Sequence, residues 1–117
     1  MKLAIVQTRP PHQQASGREG LDTALVGAVF DLEVSLLFVD DGVYQLLAGQ
    51  DPAAIGQKPW CAAFEAAELY GIRQLLVDAE ALAERGIEVG ELMVPVELRS
   101  GSELAQHLDS CDQVLVF

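Results

Sequence analysis

The stretch Leu-Leu-Phe-Val-Asp-Asp-Gly-Val-Tyr-Gln-Leu, residues 36–46, decides the predicted fold. Its first part is an apolar run that is too short for a free-standing helix and is stopped by two acids and a glycine, which predicts a buried parallel strand. Asp40, Asp41 and Gly42 then follow the carboxyl end of that strand. Because open α/β sheets bind their ligands and partners along this edge, we expect the functional site near these residues.

Large apolar residues follow this loop at once, namely Val43, Tyr44, Leu46 and Leu47. Such residues are unusual in a solvated connection and indicate a surface that another chain covers. Half of the 117 residues are hydrophobic, which is high for a small monomer and also favours a subunit interface. We therefore predict these four residues as interface positions, with Trp60 as a further candidate.

Strand and helix signals alternate along the rest of the chain. The predicted strands are residues 3–6, 34–39, 75–77, 91–96 and 113–117. Helix signals begin near residues 16, 43, 59 and 79, and Ser102 is the predicted cap of a last helix. This alternation predicts a three-layer α/β/α domain around a five-stranded parallel sheet, with residues 1–117 forming a single domain. Pro95 cannot donate to a sheet ladder, so we expect the fourth strand at an edge.

The charge balance excludes several classes of partner. The formal net charge is −11 at pH 7, with only seven Lys and Arg residues. Nucleic-acid and anionic-membrane binding both need clustered basic residues, so neither partner is expected. The amino terminus has no export-signal pattern and no apolar run is long enough to span a bilayer, so we expect a cytoplasmic protein.

The acids after the second strand allow a metal site or a structural role. Asp40 and Asp41 are the right ligand type for a hard cation. Side chains of neighbouring strand residues diverge, however, and one of the pair can simply cap the next turn. The histidines add no ligand or catalytic pattern, since His12 stands in a loop without a motif partner and His107 lies near the end of a helix. We predict no metal and no cofactor.

Two further patterns leave alternatives open. Gly17 and Gly20 flank the start of the first helix, where many α/β proteins bind phosphate, but their GxxG spacing is neither a dinucleotide fingerprint nor a P-loop. Asp78 follows the third strand, as the acceptor does in a phospho-acceptor receiver domain. The first strand ends in Gln7 rather than in acids, and no lysine follows Lys58, so the receiver would be a degenerate one.

The two cysteines, Cys61 and Cys111, have neither a CxxC nor a metal-ligand spacing. In a reducing compartment both are expected to be buried small hydrophobes. Cys61 falls in the first turn of the helix that follows Pro59, where the helix dipole could lower the pKa of its thiol. A thiol enzyme that uses Cys61 is therefore a further alternative.

Several blocks of sequence resemble the TusC/DsrF branch of the DsrE/DsrF-like family. They are residues 17–22, 41–47, 69–72, 84–86 and 112–117. The resemblance spans nearly the whole chain and implies a sheet order of 4-3-2-1-5. It also implies a cytoplasmic sulfur-relay subunit that assembles with TusB/DsrH-like and TusD/DsrE-like chains into a heterohexamer.

In the Tus version of this relay, persulfide sulfur passes from TusA through TusD to TusE for 2-thiolation of the tRNA wobble uridine. The Dsr version serves sulfur oxidation. In the TusD/DsrE-type sibling, the persulfide cysteine lies just after the third strand, and that place corresponds to Asp78 in this chain. A carboxylate cannot carry a sulfane sulfur. The resemblance therefore implies a structural, non-catalytic subunit.

Overall fold

A computed structural model describes residues 1–11, 16–48, 60–72 and 74–117 of the chain. The strands in these residues are β1 (Lys2–Gln7), β2 (Glu33–Phe38), β3 (Gln74–Asp78), β4 (Glu97–Arg99) and β5 (Gln113–Val116). They form one parallel sheet in the order β4-β3-β2-β1-β5. The predicted parallel α/β fold and its strand order are therefore confirmed.

The helices lie on both faces of the sheet. The α-helices are α1 (Ser16–Val29), α2 (Ala79–Glu84) and α3 (Gly101–Asp109). A first 3₁₀ helix spans Asp40–Leu46, a second spans Trp60–Tyr70, and a single 3₁₀ turn spans Val89–Glu91. Within the described ranges, no helix is both long and apolar enough to cross a membrane.

The core is divided by the alternation of side chains along each strand. Leu3 and Ile5 of β1 join the larger cluster, which α1 and both 3₁₀ helices cover. Ala4 and Val6 face the opposite side and pack with Leu104 of α3. Because each central strand is apolar on both faces, the sheet must be covered on both sides.

The second 3₁₀ helix buries residues that are three positions apart in the sequence. In 3₁₀ geometry residues three apart lie above one another, and Cys61, Phe64 and Ala67 are all buried. The ring of Phe64 meets that of Phe38 edge-on, with 5.3 Å between the ring centroids. The helix ends where Gly71 takes a φ of 95°, which a residue with a side chain rarely adopts.

The predicted fourth strand lies too early in the chain. Residues 91–96 were expected to form it, but β4 spans Glu97–Arg99. Leu92 instead forms an isolated antiparallel bridge with Leu47. Pro95 precedes the strand because it cannot donate to the ladder, although the predicted edge position is correct.

The cap of the last helix is also corrected. Ser100, not Ser102, is the N-cap of α3. Its hydroxyl accepts from the backbone N–H of Glu103 at 3.2 Å, and the Glu103 carboxylate accepts from the Ser100 N–H at 2.9 Å. This reciprocal pair satisfies two backbone donors that the helix cannot satisfy itself.

Candidate functional site

The turn that follows β2 is built around a glycine at the carboxyl edge of the sheet. Asp40 adopts a left-handed φ of 49°, which aspartate tolerates better than most residues. The Gly42 N–H then donates to the carbonyl of Val39 at 2.8 Å. A side chain on Gly42 would collide with the backbone of Gln7 at the end of β1. The glycine therefore lets the first 3₁₀ helix lie directly against β1.

Asp41 is tied to the end of α2 by Arg85. The Arg85 Nε and Nη2 atoms both donate to Asp41 Oδ1, at 3.1 and 3.0 Å. Arg85 Nη1 donates to the carbonyl of Ala81, and the guanidinium carbon lies 6.0 Å from the centroid of the Tyr44 ring. Since the Asp41 carboxylate is half exposed, this pair positions the two elements more than it stabilises them.

The acid at the end of β3 is used structurally. Asp78 is the N-cap of α2, and its Oδ1 accepts from the backbone N–H of Glu80 at 3.1 Å. Among the residues that the structure describes, no three His, Cys, Asp or Glu side chains are grouped to hold a metal ion. At this edge Asp78 thus caps α2 and Asp41 pairs with Arg85, while Asp40 forms the left-handed turn after β2.

The two cysteines lie in different surroundings. Cys61 is buried in the main core, and burial raises its pKa to about 12. At neutral pH its thiol is therefore protonated and a poor nucleophile. Cys111 is half-buried, and its Sγ donates to the carbonyl of His107 at 3.3 Å.

His107 of α3 contacts Ser35, a buried residue of β2. Its Nε2 lies 2.8 Å from Ser35 Oγ. Burial, with the nearby charges of Lys2 and Arg99, lowers the pKa of His107 below its usual value. The other histidine, His12, lies outside the described residues.

The glycines at the start of α1 contact a buried side chain of β1. Gln7 is fully buried, and its Nε2 donates to the carbonyl of Gly17 at 2.8 Å. A side chain on Gly20 would lie 2.8 Å from Gln7 Cδ. Gly20 thus leaves room for the buried glutamine, and the backbone carbonyl of Gly17 accepts its hydrogen bond, so both glycines of the GxxG pattern contact Gln7.

A comparison with known proteins connects this arrangement to a family. The sequence model of the DsrE/DsrF-like family matches residues 1–117. The chain belongs to the DsrE/DsrF-like family. Proteins called "Protein TusC homolog" are similar over nearly their full length. The one from Pseudomonas aeruginosa is 41% identical over 113 residues, covering 97% of this chain and 95% of that protein. The one from Aliivibrio fischeri is 34% identical over 116 residues, covering 99% and 98%.

Solved structures give the same DsrE/DsrF-like fold. The crystal structure of the ychN protein from E. coli matches with a TM-score of 0.85 and 26% identity, covering 100% of this chain and 99% of that one. The protein of unknown function MTH1491 from Methanobacterium thermoautotrophicum matches with a TM-score of 0.62 at 14% identity, over the full length of both chains. The second likeness concerns the fold alone.

Some of the predicted interface residues of this DsrE/DsrF-like chain are buried in its own core, and others are partly exposed. Val43 and Leu46 are completely buried in its own core. The expectation that a partner covers their side chains is therefore wrong, because the first 3₁₀ helix packs them under the sheet edge. Tyr44 and Leu47 remain partly exposed, and the side chain of Trp60 lies outside the described residues.

Sequence reasoning missed the tie between Asp41 and Arg85. In the sequence analysis Arg85 lies only within the block of residues 84–86 that carries the family resemblance, and it is 44 positions from Asp41. No local spacing brings them together, since the pair forms only when α2 folds back beside the first 3₁₀ helix. Gln7 was missed likewise, although a glutamine that ends an apolar strand ahead of two glycines is a readable signal.

Proposed function

We propose that this chain is a structural subunit of a cytoplasmic sulfur-relay complex, in which the sulfur is carried by a related sibling chain. The proposal rests on membership of the DsrE/DsrF-like family and on the similarity to TusC homologues. The partners would be TusB/DsrH-like and TusD/DsrE-like chains in a heterohexamer. The strongly acidic balance supports a role without direct tRNA contact.

One observation carries the structural role. Sulfur transfer requires a thiolate that attacks the outer sulfur of a persulfide, so that the S–S bond breaks and the donor cysteine leaves as a thiolate. In this chain, the place after β3 holds Asp78, whose carboxylate caps α2. Cys61 is a buried thiol with a pKa of about 12, and Cys111 donates its proton to a carbonyl. Neither the Asp78 carboxylate nor the buried Cys61 thiol is suited to accept sulfur, and Cys111 lies just before β5 rather than at the end of β3.

The decisive experiment removes both thiols from this subunit within the reconstituted complex. A Cys61→Ala and Cys111→Ala double variant should transfer sulfur within about twofold of the wild-type rate, because no bond to sulfur forms on this chain. The matched control removes the cysteine of the TusD/DsrE-like sibling and should abolish transfer. A large loss of transfer in a fully assembled double variant would instead assign this chain a sulfur-carrying cysteine.

Tyr44 and Leu47 are the proposed contacts with the siblings, since both have large, partly exposed side chains, and the Tyr44 ring lies beside the guanidinium of Arg85. Tyr44→Asp should prevent recovery of the siblings with the tagged chain while leaving its circular dichroism unchanged. Tyr70→Asp is the control, because Tyr70 is the other tyrosine and is exposed at the end of the second 3₁₀ helix. Normal assembly of the Tyr44 variant would place the interface elsewhere.

We propose tRNA thiolation as the pathway, with sulfur oxidation as the alternative that the same family allows. Deleting the gene should remove 2-thiouridine from the wobble position of tRNA, as measured by mass spectrometry of nucleosides. Unchanged 2-thiouridine, together with impaired oxidation of reduced sulfur compounds, would assign the subunit to the oxidative relay.

A further inference from the structure

The two edges of the sheet are protected very differently. Natural sheets discourage edge-to-edge pairing with short strands, charges and prolines. The β4 edge has all three features: it is three residues long, it carries the Glu97–Arg99 ion pair at 2.9 Å, and Pro95 precedes it. The β5 edge, Gln113–Val116, has no charged residue and no proline. It is therefore open to pairing.

The outer side of β5 presents unpaired backbone groups. The N–H of Phe117 donates to the carbonyl of Val6 at 2.8 Å, and its carbonyl accepts from the Thr8 N–H at 2.9 Å. Alternate residues of a strand face the same neighbour, so Leu115 also faces β1, while the N–H and C=O groups of Val114 and Val116 point away from it. No strand in the described parts of the chain lies on that side.

The side chains agree with an open edge. Val114 is 38% exposed and Val116 is 66% exposed, both on the face of the sheet that α3 covers elsewhere. A row of free N–H and C=O groups beside apolar side chains is the template for an added extended strand. A helix or a small molecule would leave these backbone groups unpaired.

The sequence of β5 allows a symmetric pairing with a second copy of the chain. Val-Leu-Val, residues 114–116, reads the same in both directions. With a two-fold axis through Leu115, Val114 of each copy lies opposite Val116 of the other, and every outward backbone group of both residues finds a partner. We propose that β5 pairs antiparallel with β5 of a second copy of this chain, forming one continuous sheet across the dimer.

Charge supports a second copy despite the strongly acidic chain. Like charges placed directly opposite one another destabilise strand pairing, but every residue of Gln113–Val116 is uncharged. The two-fold arrangement also closes the assembly at two copies, since the described residues of each chain offer a single open edge of this kind. The proposal is independent of the sulfur-relay function, because it concerns the purified chain alone.

The first test is the native mass of the full-length chain over a range of micromolar concentrations. The wild type should reach a dimer, and Val116→Lys should weaken dimerisation by about tenfold or more, because a lysine on an edge strand blocks pairing. Val29→Lys is the matched control, since Val29 is 73% exposed but lies on α1. A monomeric wild type, or a dimer that the Val116 variant leaves unchanged, would overturn the proposal.

A second measurement decides the register and remains informative if Val116→Lys fails to fold. In the proposed pairing, Leu115 faces its counterpart in a non-hydrogen-bonded pair, with about 4.5 Å between Cα atoms, which a disulfide can bridge. In a Cys111→Ser background, Leu115→Cys should form an intermolecular disulfide under mild oxidation, and Val29→Cys should not. Absence of this cross-link in a dimeric sample of the purified chain would refute the β5 pairing.

Discussion

Gly42→Ala should be one of the most destabilising small substitutions in this protein. Gly42 is buried between the end of β2 and the end of β1. A Cβ built at this position lies 2.6 Å from the carbonyl carbon of Gln7, and closer still to its oxygen, with the Thr8 nitrogen at 3.1 Å. These atoms are backbone, so no side-chain rotation can relieve the collision.

The size of the effect follows from these contacts. Carbon atoms in ordinary contact are about 3.5–4.0 Å apart, so the first 3₁₀ helix and β1 must separate by roughly 1 Å. Overpacking of this kind costs about 1–3 kcal/mol. The same shift stretches the hydrogen bond from the Val39 N–H to the Gln7 carbonyl, which is worth about 1 kcal/mol. We expect the free energy of unfolding to fall by about 2–4 kcal/mol, with a melting temperature roughly 10 °C lower.

Urea unfolding followed by circular dichroism measures this loss directly. Gly101→Ala is the control, because nothing lies within 4 Å of a Cβ at the first residue of α3. Alanine there should leave the free energy of unfolding unchanged or raise it by up to about 1 kcal/mol. If Gly42→Ala unfolds within about 1 kcal/mol of the wild type, the argument that the close approach to Gln7 requires glycine is refuted.

Three further predictions concern the α3 cap, the thiols and one histidine. Ser100→Ala should lower the free energy of unfolding by about 1 kcal/mol, because the cap is lost. Ser102→Ala should change the free energy of unfolding by less than about 0.5 kcal/mol. Equal losses in the two variants would contradict the assignment of Ser100 as the cap. A thiol reagent at mildly alkaline pH should label Cys111 first and reach Cys61 only on unfolding, and equally rapid labelling would disprove the burial of Cys61. The folded-state pKa of His107 is lowered, so the unfolded state binds more protons and the free energy of unfolding should decrease as pH falls through about 6.5. His107→Gln should weaken this dependence in urea unfolding measured at several pH values, and an identical pH profile would contradict it.

The elements that the sequence predicted well are those with purely local signals. Residues 34–39 were predicted as a strand because a dense apolar run needs no distant partner to be recognised, and β2 spans Glu33–Phe38. The helix predicted to begin near residue 79 spans Ala79–Glu84. β4 failed for the opposite reason, since the apolar residues around Leu92 pair with Leu47 from a distant segment.

The sequence predicted where the candidate site lies but not which of its residues pair with one another. The sequence indicated the edge that holds Asp41 and Asp78, because acids that follow parallel strands meet on one side of a sheet. It gave no indication that Arg85 would bind Asp41. It also assigned Val43 and Leu46 to a partner's surface, because hydrophobicity alone does not distinguish the core of a chain from an interface.

By itself, the sequence determined the order of strands and helices, the acidic surface and the family resemblance, because periodicity, charge and motifs are properties of neighbouring residues. Only the tertiary structure decided which apolar residues the chain keeps for its own core. It also decided that Gly20 leaves room for the buried side chain of Gln7 and that Cys61 is buried with a raised pKa. These features depend on which distant segments meet, and the pairing of segments depends on packing across the whole sheet rather than on any local pattern.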